Sequence, residues 1–150
     1  MQESDYNFQP VEFDPFAGPE IENVVPATEP QAEIWASCLI GGEEANRSYN
    51  ESVSLILKGE LNYSSLEKSL QNLFKRHDAL RSGFSSDGKQ LCIFSEGNLQ
   101  YNYQDISGTD PDRQKDLIDQ FLVEDARTSF NLLTGPLFRV NLFKLAEESH

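Results

Sequence analysis

Basic residues are scarce in this chain, since 12 Lys and Arg stand against 25 Asp and Glu and give a formal net charge of −13. An acidic surface repels nucleic-acid phosphates and anionic lipid headgroups, so the charge argues against both as partners. No run approaches the roughly 20 apolar residues that a membrane span needs, and the first residues lack the basic and apolar stretches of a secretory signal. These absences predict an acidic protein of the cytoplasm.

Cysteine is equally sparse. Cys38 and Cys92 are the two in the chain, and they do not form a CxxC pair. Their apolar neighbours predict small buried side chains in a reduced compartment rather than a disulfide or a catalytic thiol. Asp105, Asp110 and Asp112 are close in sequence but lack the glycine and the terminal Glu of a calcium loop, so no metal site is predicted.

Residues 1–25 carry no Lys or Arg, and several prolines interrupt them. This composition predicts an acidic flexible linker. The scattered aromatic residues leave a second interpretation open, in which the segment is a tail that docks onto an upstream subunit. The folded domain is expected to span residues 26–150.

The remaining sequence alternates between helical and strand patterns. Thr28 and Gln31 form a capping-box pattern that begins a short helix, and Gly41-Gly42 is expected to end it. A helix is predicted after Asn62 and another after Asp110. Strands are predicted over 52–58, in a hairpin of 82–85 and 90–94 around an Asp-Gly turn, over 99–103, and over 137–145. The order predicts an α/β fold, layered as an α+β sandwich.

Three motifs occur in order along the chain, and a weaker match occurs at residues 49–51. The first is Thr-Glu-Pro-Gln-Ala-Glu-Ile-Trp at 28–35, the second Arg-His-Asp-Ala-Leu-Arg-Ser-Gly-Phe at 76–84, and the third Phe-Asn-Leu followed by Gly-Pro-Leu-Phe-Arg at 130–139. Their order and spacing resemble the first lobe of nonribosomal peptide synthetase condensation domains. The residues that carry the resemblance are Gln31, Trp35, Arg76, His77, Leu80, Arg81, Phe84, Phe130, Gly135, Pro136 and Arg139.

The resemblance implies one of the two lobes of a chloramphenicol acetyltransferase-like fold, with a tunnel between them. It also implies amide-bond formation between acyl or aminoacyl thioesters held on the phosphopantetheine arms of carrier domains. No cofactor would bind directly. Carrier domains and an adenylation domain of the same assembly line would be the partners. Related cyclisation, epimerisation and acyltransferase domains, or a non-catalytic docking module, remain alternatives.

The family's catalytic HHxxxDG motif does not occur in these 150 residues. It is expected beyond His150, so no catalytic residue is assigned and the chain alone is expected to be inactive. The strand at 137–145 would then expose an edge, which predicts self-association or packing against a partner.

Four residues of the second and third motifs each have more than one possible role. His77 falls in register with the apolar face of its helix, which predicts a core histidine rather than a base. Arg76 and Arg81 could clamp a phosphate, but capping of the helix C-terminus is the favoured interpretation. Asn131 replaces the family's Asp, which puts a local salt bridge in doubt.

Overall fold

The computed structural model describes residues 18–95, 97 and 99–150, which form helices and two small sheets. Helices and strands are mixed along the chain, as the α/β prediction required. The elements are β1 (Ile21–Pro26), α1 (Glu29–Ser48), α2 (Tyr63–Arg76), a 3₁₀ turn (Asp78–Arg81), β2 (Ser82–Phe84), β3 (Gln90–Phe94), β4 (Gln100–Asp105), α3 (Pro111–Ala126) and β5 (Arg139–Lys144).

The first sheet has the order β1-β3-β2, and both pairings are antiparallel. Strands β2 and β3 form the predicted hairpin, in which the Asp87 side chain accepts a hydrogen bond from the Lys89 N–H at 3.1 Å. The boundary predicted between residues 25 and 26 is wrong. Residues 21–25, predicted to be linker, form most of β1, which pairs with β3. Residues 1–17 lie outside the described residues.

The second sheet pairs β4 with β5 in parallel, from Gln100 opposite Arg139 to Asp105 opposite Lys144. Parallel neighbours need a long crossover connection, and α3 provides it. The rings of Phe121 on α3 and Phe143 on β5 pack edge to face with centroids 5.0 Å apart. The two strands and this helix confirm the sequence prediction.

Side-chain hydrogen bonds cap the first turns of the helices at the positions that the sequence predicts. The Asp110 carboxylate accepts from the Arg113 N–H at 3.0 Å, and the Asn62 side chain accepts from the Ser65 N–H at 2.9 Å. At the start of α1, the Gln31 side chain accepts from the Thr28 N–H at 2.9 Å. Each bond satisfies an amide at a helix start, which the helix itself leaves unpaired.

Helix α1 is longer than predicted. Gly42 has φ 63° and ψ −149°, which breaks the helix at the expected position, but the chain resumes helical geometry and continues to Ser48. The residues after Gly42 therefore form helix where a polar loop is predicted. The break is a kink inside a longer helical segment.

The strand predicted over 52–58 is wrong. Within the part of the chain that the structure describes, the segment forms only an isolated bridge between Lys58 and Ser149. Val53, Leu55 and Ile56 are 83%, 75% and 77% exposed. Alternation of apolar residues yields a strand only when a neighbouring strand pairs with it and covers one face, and neither condition is met here.

The buried core is small, and its side chains come from α1, α2, β2, β3 and β5. Its apolar members are Cys38, Phe74, Phe84, Ile93, Phe94 and Leu142. No helix among the described residues is long and apolar enough to cross a bilayer.

Candidate functional site: a junction of three motifs

The second and third motifs meet backbone to backbone, at a contact that we call the motif junction, between β2 and residues 131–135. The Phe84 N–H donates to the Leu132 carbonyl oxygen at 2.6 Å. A Cβ at Gly83 would lie 2.5 Å from the Leu133 carbonyl oxygen. Two stretches about fifty residues apart in the sequence are therefore held too closely for any side chain at Gly83.

Gly135 and Pro136 form the other edge of the junction and are joined by a cis peptide bond. Gly135 has φ 55°, and a Cβ there would lie 2.8 Å from the Ser82 carbonyl oxygen. Positive φ and close approach both require glycine. This position explains the glycine of the third motif in structural terms.

The first motif joins the same assembly through α1. Trp35 packs over the hairpin turn, where a Cβ at Gly88 would come within 3.0 Å of its indole ring. Further along α1, the Asn46 side chain donates to the Phe130 carbonyl at 3.0 Å and accepts from the Phe130 N–H at 3.2 Å. Asn46 was not predicted, because nothing near it in sequence indicates a partner 84 residues away.

The Arg81 guanidinium forms hydrogen bonds with three acceptors. Its guanidinium donates to Glu22 at 2.6 Å, to Asp78 at 2.5 Å and to the carbonyl oxygen of Phe94. The side chain is only 11% exposed. These bonds hold the 3₁₀ turn against β1 and β3, and they use the donors that a phosphate clamp would need.

His77 and Arg76 lie at the exposed end of α2. His77 is the C-cap, and its N–H donates to the Leu73 carbonyl at 3.1 Å. The predicted core position of His77 is therefore wrong, because α2 ends one residue earlier and the side chain leaves the helical register. Arg76 lies in the last turn, where a positive charge interacts favourably with the helix dipole. Leu80 in the following 3₁₀ turn is half-buried.

Arg139 is held by Asp125 and Phe130. Its Nε donates to the Asp125 carboxylate at 2.6 Å, and its guanidinium lies 4.3 Å from the centroid of the Phe130 ring. The two charged side chains are 13% and 21% exposed. Asn131 instead accepts from the Leu133 and Thr134 N–H groups at 3.0 and 3.1 Å, so it caps the turn and takes no part in this salt bridge.

A cavity of about 240 Å³ lies beside this ion pair. Its lining includes Tyr101, Asn102, Phe121 and Asn141, together with Asp125 and Arg139. The lining holds no histidine or cysteine, and its one carboxylate is neutralised by Arg139. The cavity therefore lacks a free base of the kind that deprotonates an amine.

His150 is buried in an aromatic cluster at the end of β4. Its Nε2 shares a hydrogen bond with the Tyr63 hydroxyl at 2.7 Å, and the rings of Tyr63 and Tyr103 have centroids 4.9 Å apart. Partial desolvation and a hydrogen bond with Tyr63 raise the pKa of Tyr103 to about 12, and burial raises the pKa of Tyr101. His150 is only 6% exposed, and its Nδ1 has no hydrogen-bond partner among the described residues.

Among the described residues, the pKa shifts of the Cys38 thiol and the Asp105 carboxylate are opposite to those of an activated nucleophile and a general base. Burial raises the pKa of the Cys38 thiol, which makes it a weak nucleophile. Both cysteines are free, and Cys92 is only half-buried. A hydrogen bond from Ser107 lowers the pKa of Asp105. Across residues 18–95, 97 and 99–150, no three metal-binding side chains come together.

The chain is similar in sequence to proteins of one known family. Residues 21–150 match the sequence profile of the condensation domain family. Malpinin synthetase of Mortierella alpina is 30% identical over 129 residues, and bacitracin synthase 3 of Bacillus licheniformis is 26% identical over 133 residues. The matches cover 85% and 87% of this chain but only 2% of each of those proteins.

Solved structures show the same fold. The starter condensation domain of the rhizomide synthetase superposes with a TM-score of 0.71 at 22% identity, over 85% of this chain and 32% of that one. A four-domain nonribosomal peptide synthetase bound to AMP and glycine superposes with a TM-score of 0.69 at 18% identity, over 96% of this chain and 10% of that one. The profile match over nearly all described residues shows that the chain belongs to the condensation domain family.

Proposed function

We propose that the protein to which this chain contributes forms amide bonds between an acyl or aminoacyl thioester and an amine, each tethered to a carrier domain. The observation that carries the proposal is the family match over residues 21–150, together with relatives that are peptide synthetases. In this step the amine attacks the thioester carbonyl, an amide C–N bond forms, the C–S bond breaks and the donor arm leaves as a thiol.

The role of this chain is to build one lobe. The motif junction, the Arg81 network and the Arg139–Asp125 pair all join segments distant in sequence, and none presents a free base. The chain also lacks HHxxxDG. These observations support a scaffold role for these 150 residues in the proposed reaction.

The proposed partners are carrier domains that bring substrates on phosphopantetheine arms, and an adenylation domain that loads them. The relatives are peptide synthetases many times longer than this chain, which is consistent with such an assembly. The net charge of −13 favours partners whose contact surfaces are not strongly acidic.

A loaded-carrier assay tests the proposal. An acylated donor carrier and an aminoacylated acceptor carrier are mixed with the whole protein, and mass spectrometry follows the product on the acceptor arm. We expect an N-acylated aminoacyl product with the whole protein and none with the 150-residue chain. No product from the folded whole protein across a panel of acyl donors would contradict amide-bond formation. Product from the chain alone would contradict a scaffold role.

A further inference from the structure

Asp87 and Gly88 form the tip of the hairpin between β2 and β3. The Gly88 N–H donates to the Ser85 carbonyl at 2.9 Å, and Gly88 has φ 70°, so the turn requires glycine at this position. The Asp87 side chain is 58% exposed. An aspartate that precedes glycine is prone to attack by the next backbone nitrogen on its side-chain carboxyl, because glycine has no Cβ to hinder the approach.

This attack converts aspartate into isoaspartate in two steps and needs only water. The Gly88 nitrogen bonds to Cγ of the protonated Asp87 carboxyl, the nitrogen loses its proton, the carboxyl loses hydroxide, and a succinimide ring remains. Water then opens the ring at either carbonyl. Cleavage of the new C–N bond restores aspartate, whereas cleavage of the original peptide C–N bond leaves a main chain that runs through Cβ and Cγ.

The closed hairpin holds the Asp87 carboxylate in an unreactive state. The Ser85 hydroxyl donates to its Oδ1 at 2.7 Å, and the Lys89 N–H donates to the same oxygen at 3.1 Å. The hydrogen bond from Ser85 is the largest contribution to a lowered pKa of Asp87. A lowered pKa keeps the carboxylate ionised, and the ionised form is a poor electrophile.

The attacking nitrogen is held as well. Gly88 is buried, and its N–H is already bonded to the Ser85 carbonyl. We propose that Asp87–Gly88 is a latent isoaspartate site, which the closed hairpin keeps unreactive and which converts when the hairpin opens. The inference rests on the geometry of this turn and is independent of the proposed condensation function.

Trp35 couples the site to α1. Its indole ring lies against Gly88 so closely that a Cβ there would overlap the ring. Isoaspartate lengthens the main chain between Ser86 and Gly88 by one carbon, which the turn has no room for beneath the indole. Conversion therefore displaces Trp35 and loosens the contact between α1 and the hairpin.

Ser85 controls how often the turn opens. Its hydroxyl oxygen accepts from the Gln90 N–H at 3.1 Å while the hydroxyl donates to Asp87. Ser85→Ala removes both bonds but keeps the backbone bond from the Ser85 N–H to the Gln90 carbonyl at 2.9 Å. Ser86→Ala is the matched control, since it removes a hydroxyl from an exposed position in the same turn and leaves the Ser85 bonds in place.

An ageing experiment tests the site. The 150-residue chain and the two variants are incubated at neutral pH, each in buffer and in guanidinium chloride. Peptide mapping with electron-transfer fragmentation measures isoaspartate at position 87. We expect conversion of the native chain to be at least about tenfold slower than that of the denatured chain, because the open hairpin is a minor species. Ser85→Ala should reduce this protection by about threefold or more, as loss of a hydrogen bond would allow.

Each variant is compared with its own denatured rate, which removes the intrinsic effect of the substitution. No isoaspartate in guanidinium chloride would overturn the assignment of the site. Equal native and denatured rates would overturn protection by the hairpin, and this comparison holds even if a variant fails to fold. Protection lowered equally by Ser85→Ala and Ser86→Ala would overturn the role of the Ser85 bonds.

Trp35 provides the second measurement, because it is the one tryptophan of the chain. Chain converted in denaturant is refolded, and its isoaspartate form is separated from the aspartate form by chromatography. We expect Trp35 emission at longer wavelength in the isoaspartate form, since the ring has lost its contact with Gly88. Identical emission from the two refolded forms would overturn the coupling to α1.

Discussion

Asn46 pairs with the backbone of Phe130 as a strand would, with its Nδ2 donating to the carbonyl at 3.0 Å and its Oδ1 accepting from the N–H at 3.2 Å. One side-chain amide thereby satisfies both polar groups of a residue in the third motif. It also ties the kinked end of α1 to the segment that carries Arg139. The bond has the same effect as the motif junction, since each joins distant parts of the chain without a sheet between them.

Replacing Asn46 by Asp should destabilise the fold by about 1–3 kcal/mol, because a carboxylate cannot donate to the Phe130 carbonyl and leaves it unpaired. Urea denaturation would measure the free energy of unfolding. Asn72→Asp, at an exposed position of α2, introduces the same charge and should have little effect. Equal losses in the two variants would mean that added charge, and not the lost bond, is responsible.

Gly83→Ala should destabilise the motif junction by about 1–3 kcal/mol, the usual range for overpacking. The new methyl group would lie 2.5 Å from the Leu133 carbonyl oxygen, which is backbone and moves only with the loop. Gly108→Ala is the matched control, since a Cβ there has no atom within 4 Å. A thermal midpoint that falls no further for Gly83→Ala than for the control would contradict the close approach.

Arg81→Met should cost about 1–3 kcal/mol of unfolding free energy, because it removes the donors to Glu22, Asp78 and Phe94 from a largely buried position. Arg76→Met removes the same charge from an exposed helix end and should stay within about 0.5 kcal/mol. Chemical denaturation compares the two. If Arg76→Met is the more damaging variant, the assignment of the structural role to Arg81 is wrong.

Tyr103 should make stability fall at high pH. Its phenol ionises near 10 in the unfolded chain, and the folded structure raises its pKa to about 12. Between these values ionisation favours the unfolded state, so the free energy of unfolding decreases as pH rises, whereas below about 10 this contribution is fully retained.

Tyr103→Phe should reduce that decrease and remove a late-ionising component from the phenolate absorbance titration. Tyr49→Phe, which removes a phenol from an exposed position at the end of α1, is the control. A titration in which both variants lose the same component would contradict the raised pKa of Tyr103.

Much of the local structure followed from the sequence. The Asp110 cap, the Asp-Gly hairpin and the apolar period of α3 act over a few residues, so propensity and capping chemistry predict them directly. The three motifs also identified the family, because their order and spacing are properties of the sequence itself. Gly83 and Gly135 illustrate the limit, since their identity is visible in the sequence while the carbonyls that require them are not.

Only the tertiary structure decided which residues meet. It shows that β1 pairs with β3, that His77 lies at an exposed helix end and not in the core, and that Arg139 pairs with Asp125. Among the described residues, it also left 52–56 without a partner strand although their apolar alternation is typical of a strand. The physical reason is the same in each case: pairing and burial depend on neighbours far along the chain, and a local pattern records only what a segment could do when such a neighbour is present. The sequence by itself determined caps, turns, helical faces and family, whereas contacts between distant segments determined the strand edges, the ion pairs and the place of each motif residue.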